Sequence, residues 1–151
     1  MEGFKIESYV IDASVAVKWF VNESDSEAAR RIKDSYVAGK VEIMAPNLIY
    51  YEVLNALRFH PVARLSPDEL RSILSSLKNL QFTNEPSDDI WFRSFNFSSQ
   101  EGTSIYDSIY LALASRQGKF ITADSKLLEK LSDRVKDNVI LLDKLKPSFG
   151  I

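Results

Sequence analysis

Strands alternating with helices along the chain predict an α/β protein: a three-layer α/β/α arrangement around a central parallel sheet of about five strands. Short β-branched and aromatic runs, SYVID at Ser8–Asp12, VEIMA at Val41–Ala45 and KFIT at Lys119–Thr122, recur between stretches of helical periodicity. Helix-opening and helix-closing residues punctuate those stretches. Two acids, Asp12 and Asp124, follow strands directly, and in sheets of this kind ligands gather at the carboxyl ends of the strands.

The elements follow in order. Ser8 to Asp12 suits a buried strand, and Ser14 to Val21 a short helix. Ser24-Asp25-Ser26-Glu27 has the form of a capping box, opening a helix to about Ala38 that Gly39 closes. A second strand covers Val41 to Ala45. Pro46, at a first-turn position, opens a helix to about Phe59, ended by His60-Pro61. Ser66-Pro67-Asp68-Glu69 repeats the capping-box form and starts the next helix. Gln81 to Thr83 is a short strand, and Pro86 to Gln100 has no clear pattern. Thr103 or Ser104 caps a helix ending near Gly118. A strand at Lys119–Thr122, a helix from Ser125 to about Leu131 and a last strand at Val139–Leu142 complete the series.

The chain has 151 residues, 45% hydrophobic and 26% charged, which predicts one globular domain over 1–151 with a substantial core. It has no cysteine, which excludes thiolate catalysis and cysteine zinc sites, and its single histidine, His60, argues against a histidine-rich metal centre. The apolar stretch Tyr9–Val21 is broken by Asp12 and Lys18 and is far too short to span a membrane, and no leader pattern precedes it. The expected location is the cytoplasm, with no membrane partner. Nineteen Lys and Arg against 21 Asp and Glu give a net charge of −2, so no global basic field marks a nucleic-acid binder. Local clusters such as Arg30, Arg31 and Lys33 can still meet phosphates, although a solvated helix face is the plainer reading.

Four acids stand where the pattern asks for apolar or small residues. Asp12 ends an apolar strand, and Asp124 follows another. Glu52 has Leu48, Ile49, Ala56 and Phe59 at helical spacing, and Asp107 has Tyr110, Leu111 and Ala114. Three have a plain alternative: Asp12 and Asp124 as helix N-caps, Asp107 in a capping box with Ser104. Together they predict a pocket of carboxylates that a cation must satisfy, because buried like charges are costly and raise one another's pKa. Hard cations such as Mg²⁺ or Mn²⁺ prefer these oxygen donors, and a pair of them supports in-line phosphoryl displacement.

The blocks YVIDASVAVKWF (Tyr9–Phe20), PNLIYYEVLNAL (Pro46–Leu57), YDSIYLALA (Tyr106–Ala114) and FITAD (Phe120–Asp124) resemble, in order, the four motif blocks of PIN-domain ribonucleases, and most nearly the VapC toxins of toxin–antitoxin pairs. The resemblance spans nearly the whole chain. It implies a Mg²⁺- or Mn²⁺-dependent endoribonuclease with Asp12, Glu52, Asp107 and Asp124 as catalytic, metal-holding acids, and Ser14 and Thr122 as supporting hydroxyls. It further implies a homodimer and a cognate antitoxin that covers the acidic pocket. The chain departs from the pattern at Ser125 and Lys126, where members often carry a further acid.

Arg116 and Lys119, near the end of the Asp107 helix, are candidate contacts to RNA phosphates. Trp19 and Phe20 suit core packing or an antitoxin groove, and Tyr50 and Tyr51 suit packing, a dimer contact or base stacking. His60 has no catalytic role in this reading. A haloacid-dehalogenase-like phosphatase would need an acid where Ser14 stands, and a receiver domain, suggested by Lys146-Pro147, would need paired acids where Asp12-Ala13 stands. A housekeeping RNA-processing nuclease and a non-catalytic PIN-like binding module are the remaining alternatives.

Overall fold

The computed structural model describes residues 5–151, which form five short strands: β1 (Ser8–Ile11), β2 (Glu42–Pro46), β3 (Thr83–Asn84), β4 (Lys119–Thr122) and β5 (Val139–Leu141). Every pairing is parallel, and the order across the sheet is β3-β2-β1-β4-β5. Central strands of such a sheet are covered on both faces and so read as continuous apolar runs. Val10 and Ile11 of β1 and Ile121 of β4 are fully buried accordingly.

Between the strands run helices α1 (Ala13–Ala16), α2 (Ser26–Val37), α3 (Leu48–Arg58), α4 (Pro67–Asn79), α5 (Asp88–Glu101), α6 (Ile105–Gln117), α7 (Ser125–Lys130) and α8 (Asp133–Lys136). They flank the sheet to give the expected three layers. Helix α6 is apolar almost all round: Ser108 to Ala114 are all buried, because α6 lies on β1, β2 and β4 with α5 packed outside it. On α3 the buried stripe is Ile49, Val53 and Leu57.

Several boundaries moved for identifiable reasons. The helix after β1 is α1 followed by a 3₁₀ turn over Val17–Trp19, not one continuous helix to Val21. The capping box at Ser24 does not form. Ser26 is buried, its hydroxyl donating to the Val21 carbonyl (2.8 Å) and accepting from the Glu23 amide (3.0 Å), so α2 starts there behind Asp25 in a left-handed conformation (φ 66°). Pro46 ends β2 rather than opening α3: the amides of Ala45 and Asn47 bond to Phe82 and Asn84, so the sheet asks no donor of residue 46. At Ser66 the capping box forms in full with Glu69.

The segment without a clear pattern is α5. Its helical stripe is blurred by Trp91, Phe92 and Phe95, which are exposed, but its ends are conventional: Ser87 accepts from the Ile90 amide, Asp88 and Asp89 occupy the first turn, and Gly102 (φ 71°) closes it. Helix α8 is likewise an addition to the expected series, and β3 begins two residues later than expected, after Gln81 in a positive-φ conformation (φ 55°).

Candidate active site at the carboxyl end of the sheet

From β1 the chain proceeds to β2 on one side, and from β4 to β5 on the other. The neighbours β1 and β4 therefore form the point where strand order reverses, and the loops leaving them part to open a crevice. Asp12 and Asp124 stand on those two loops. Each is also the N-cap of its helix: Asp12 accepts from the Ser14 amide (3.1 Å) and Asp124 from the Leu127 amide (3.0 Å). The capping and site readings are thus compatible, because a cap satisfies one lone pair of a carboxylate and leaves others free.

Two hydroxyls join the loops. Ser14 Oγ donates to Asp12 Oδ1 and accepts from the Ala123 amide (2.9 Å), while Thr122 Oγ1 donates to Asp12 Oδ2 (2.6 Å) and accepts from the Asp124 amide (3.1 Å). Both oxygens of Asp12 are held, and Thr122 is fully buried. Ser14 and Thr122 thus hold the Asp12 carboxylate and tie the loop after β1 to the end of β4.

Glu52 comes from α3 and Asp107 from the first turn of α6. Ser104 Oγ accepts from the Asp107 amide (3.1 Å), which is half of a capping box and leaves the Asp107 carboxylate facing the other acids. The four acids feel one another in a chain. Burial pushes Asp12 up to about 6, opposed by the Ser14 and Thr122 hydroxyls and reinforced by the charges of Glu52 and Asp107. Burial also raises Glu52, with the Tyr110 hydroxyl opposing and Asp107 adding. Asp107 is raised by burial and by Asp124, while Ser104 and Lys130 lower it.

Tyr110, one turn after Asp107, donates to Glu52 Oε1 at 2.7 Å and is almost wholly buried, its ring stacked on Phe120. Burial and the Glu52 charge push its own pKa far up, so it remains a donor. Its position three residues beyond Asp107 on the same helix face was the available signal; its role as orienter of Glu52 needed the α3–α6 approach.

The donor set fits a hard divalent cation. It is all oxygen and mutually repelling, and none of the four carboxylates forms an ion pair among the described residues. As the side chains stand, no three acidic or imidazole groups among the described residues converge on one point at ligand distance. The repulsion and that spacing agree if water fills part of the shell, since Mg²⁺ keeps several waters and takes only one or two carboxylates directly.

The family model of the PIN domain matches residues 9–133, a span that contains all four acids. The chain belongs to the PIN-domain family. This PIN domain is 33% identical over 129 residues to ribonuclease VapC3 of Pyrobaculum aerophilum, covering 80% of the chain and 92% of that relative. It is similar in fold to PAE2754 of Pyrobaculum aerophilum (TM-score 0.64, 21% identity, covering 91% of this chain and 85% of that one). It is similar too to a toxin–antitoxin complex from Klebsiella pneumoniae (TM-score 0.61, 17% identity, 91% and 99% covered).

The remaining candidates of the PIN domain lie elsewhere. Lys119 opens β4 while Thr122 ends it, so Lys119 sits about 10 Å along the strand from the crevice. Arg116 pairs with Asp89 of α5 at 3.1 Å. Neither is brought to the acids. Trp19 is a core residue, its indole donating to the Ala29 carbonyl, Tyr50 bonds Thr83, and His60 pairs with Glu23. Tyr51 is exposed on the outer side of α3.

Proposed function

We propose that this single PIN domain is a cytoplasmic endoribonuclease that hydrolyses RNA phosphodiester bonds with Mg²⁺ or Mn²⁺, the toxin of a type II toxin–antitoxin pair. One observation supports the reading: Asp12 feels the charges of Glu52 and Asp107, Glu52 that of Asp107, and Asp107 that of Asp124, beside the switch point of the sheet. The 33% identity to a protein named ribonuclease VapC3 supports RNA as substrate, and the fold shared with a toxin–antitoxin complex supports an antitoxin partner.

Asp12, Glu52, Asp107 and Asp124 would hold the cation. When bound, it supplies the charge neutralisation that in-line displacement at a phosphodiester requires. Asp12 is fixed by the Ser14 and Thr122 hydroxyls, and Glu52 is oriented by Tyr110, so two of the acids are positioned before substrate arrives. Asp107 and Asp124 project from the first turn and the N-cap of their helices. With the acids ionised, the crevice admits the phosphate chain only with a cation between them. An antitoxin guanidinium entering the crevice would satisfy the same carboxylates and block the site.

The protein acts as a homodimer in this reading, and the exposed Trp91, Phe92 and Phe95 of α5 supply apolar area suited to a second copy. Incubation with single-stranded RNA and Mn²⁺ tests the function. Products with 5′-phosphate and 3′-hydroxyl ends are expected, abolished by EDTA and by Asp12→Asn. Cleavage that persists in EDTA, or 2′,3′-cyclic phosphate ends, contradicts the reading.

A further inference from the structure

The opposite end of the sheet carries a cleft of different chemistry. It opens beside Gly118 and Asn138, which precede β4 and β5, and offers about 610 Å³ between α5, α6 and α8. That volume is within the range of small-molecule sites. Its floor is apolar, formed by the half-buried Phe97 and Val139 over the buried Leu111, Ala114 and Phe120. Around the rim stand three guanidiniums, Arg93, Arg116 and Arg134, and three amides, Asn96, Gln100 and Asn138.

Asp89 balances only part of that charge. It accepts from Arg116 Nε at 3.1 Å and Nη2 at 3.3 Å and from Arg93 Nε at 3.3 Å, which brings those two guanidiniums together at one edge. Arg134, on α8, has no carboxylate partner among the described residues. No acid lines the cavity itself. In a chain of net charge −2, three arginines around one apolar floor are a local exception that solubility does not require.

We propose that this cleft binds a nucleoside phosphate, with the ring on the floor beside Phe97 and Val139 and the phosphate between Arg134 and the Arg93–Arg116 edge. Guanidinium forks match phosphate oxygens two at a time. The rim amides present both donors and acceptors, as the edge of a base requires. A simple anion would make no use of the apolar floor. The nucleotide has two possible sources: a free mononucleotide, or one residue of an RNA strand whose path continues over the surface. The site is independent of the carboxylate crevice, so its binding is measurable without metal.

Calorimetry with AMP and with inorganic phosphate, and anisotropy of a fluorescein-labelled single-stranded RNA octamer, all on the full chain in EDTA, test the proposal. AMP is expected to bind at least about tenfold more tightly than phosphate, and Arg134→Ser to weaken AMP about tenfold through loss of a charged hydrogen bond. Ser115→Trp, at an exposed position lining the cleft, is expected to block it sterically with an unchanged melting temperature. An octamer that binds more tightly than AMP, with steep salt dependence, and is displaced by AMP assigns the site to an RNA strand. An octamer no tighter than AMP assigns it to a free nucleotide. AMP that does not bind, binds no better than phosphate, or is indifferent to both substitutions overturns the proposal. Loss of Mn²⁺-dependent cleavage leaves these readouts untouched, so failure here and failure of the nuclease reading are separate results.

Discussion

At the scale of single residues, Asp12 couples stability to pH. Its folded pKa, about 6, lies above the ordinary 3.8, so the folded state holds the proton more tightly than the unfolded chain does. Below about pH 4 both states carry that proton; as pH rises toward 6 the unfolded chain releases it first, and stability falls. The loss is up to roughly 3 kcal/mol, and above pH 6 it is complete. Denaturant titrations of metal-free protein should show that decline, and Asp12→Asn should show a shallower one, the part owed to the raised Glu52 and Asp107. Equal slopes in both proteins would mean the Asp12 carboxylate is not desolvated as described. Tyr110→Phe tests the orientation of Glu52. The ring keeps its stacking on Phe120, but Glu52 loses a donor worth about 1.5–3 kcal/mol to a charged acceptor. Cleavage should drop several-fold or more while the fold persists, and wild-type turnover would remove Tyr110 from the site.

At the scale of elements, caps and close approaches decide where helices start and stop. Ser66 closes a full capping box at α4, so Ser66→Ala should cost about 1 kcal/mol in chemical denaturation. Ser24 stands in the same local pattern but caps nothing, and Ser24→Ala should fall within about 0.5 kcal/mol of wild type. The contrast checks whether the buried Ser26, rather than the first serine of the pattern, sets the start of α2. Gly118 links α6 to β4 with φ 154°, and a Cβ there would lie 2.0 Å from the Ser8 carbonyl oxygen. Gly118→Ala should therefore destabilise by about 3 kcal/mol or more, combining strain and clash. A melting temperature near wild type would show that β1 can retreat from the helix end.

Across the whole molecule, two charged sites stand at opposite ends of the strands. Asp12 and Asp124 follow the carboxyl ends of β1 and β4, while Lys119, Arg116 and the Arg134 cleft lie toward the other end. None of the helices among the described residues is long and apolar enough to cross a membrane. Filling the acidic crevice with a cation should stabilise the whole fold, since it relieves repulsion among groups carried by β1, α3, α6 and β4. At about 100 times its dissociation constant Mn²⁺ contributes roughly 2.7 kcal/mol, a rise of several degrees in melting temperature for a domain of this size. Asp107→Asn should lose much of that rise together with RNA cleavage, yet melt no lower than wild type in EDTA, because burial and Asp124 together disfavour the Asp107 charge and the bond from its backbone amide to Ser104 survives. A full Mn²⁺ shift in Asp107→Asn would remove that acid from the metal shell.

Strand and helix identity was legible in the chain because it depends on local periodicity and caps: the Lys119–Thr122 strand has the limits expected of it, and the Ser66 box closes as its spacing predicts. The acids were legible for a related reason, since Glu52 and Asp107 interrupt stripes that otherwise pack inward. Helix α5 was obscured because Trp91, Phe92 and Phe95 are exposed, and exposed aromatics carry the signature of a core without belonging to one. What periodicity cannot contain is any relation between distant segments. The Asp12–Thr122 bond spans 110 residues, the Tyr110–Glu52 bond 58, and Arg93 and Arg134 share one cleft through three helices. Sequence by itself determined which groups needed partners, through the cost of burying charge. Only the tertiary structure decided which partners they received, because the order of strands in the sheet, and not the order of residues in the chain, sets which loops meet.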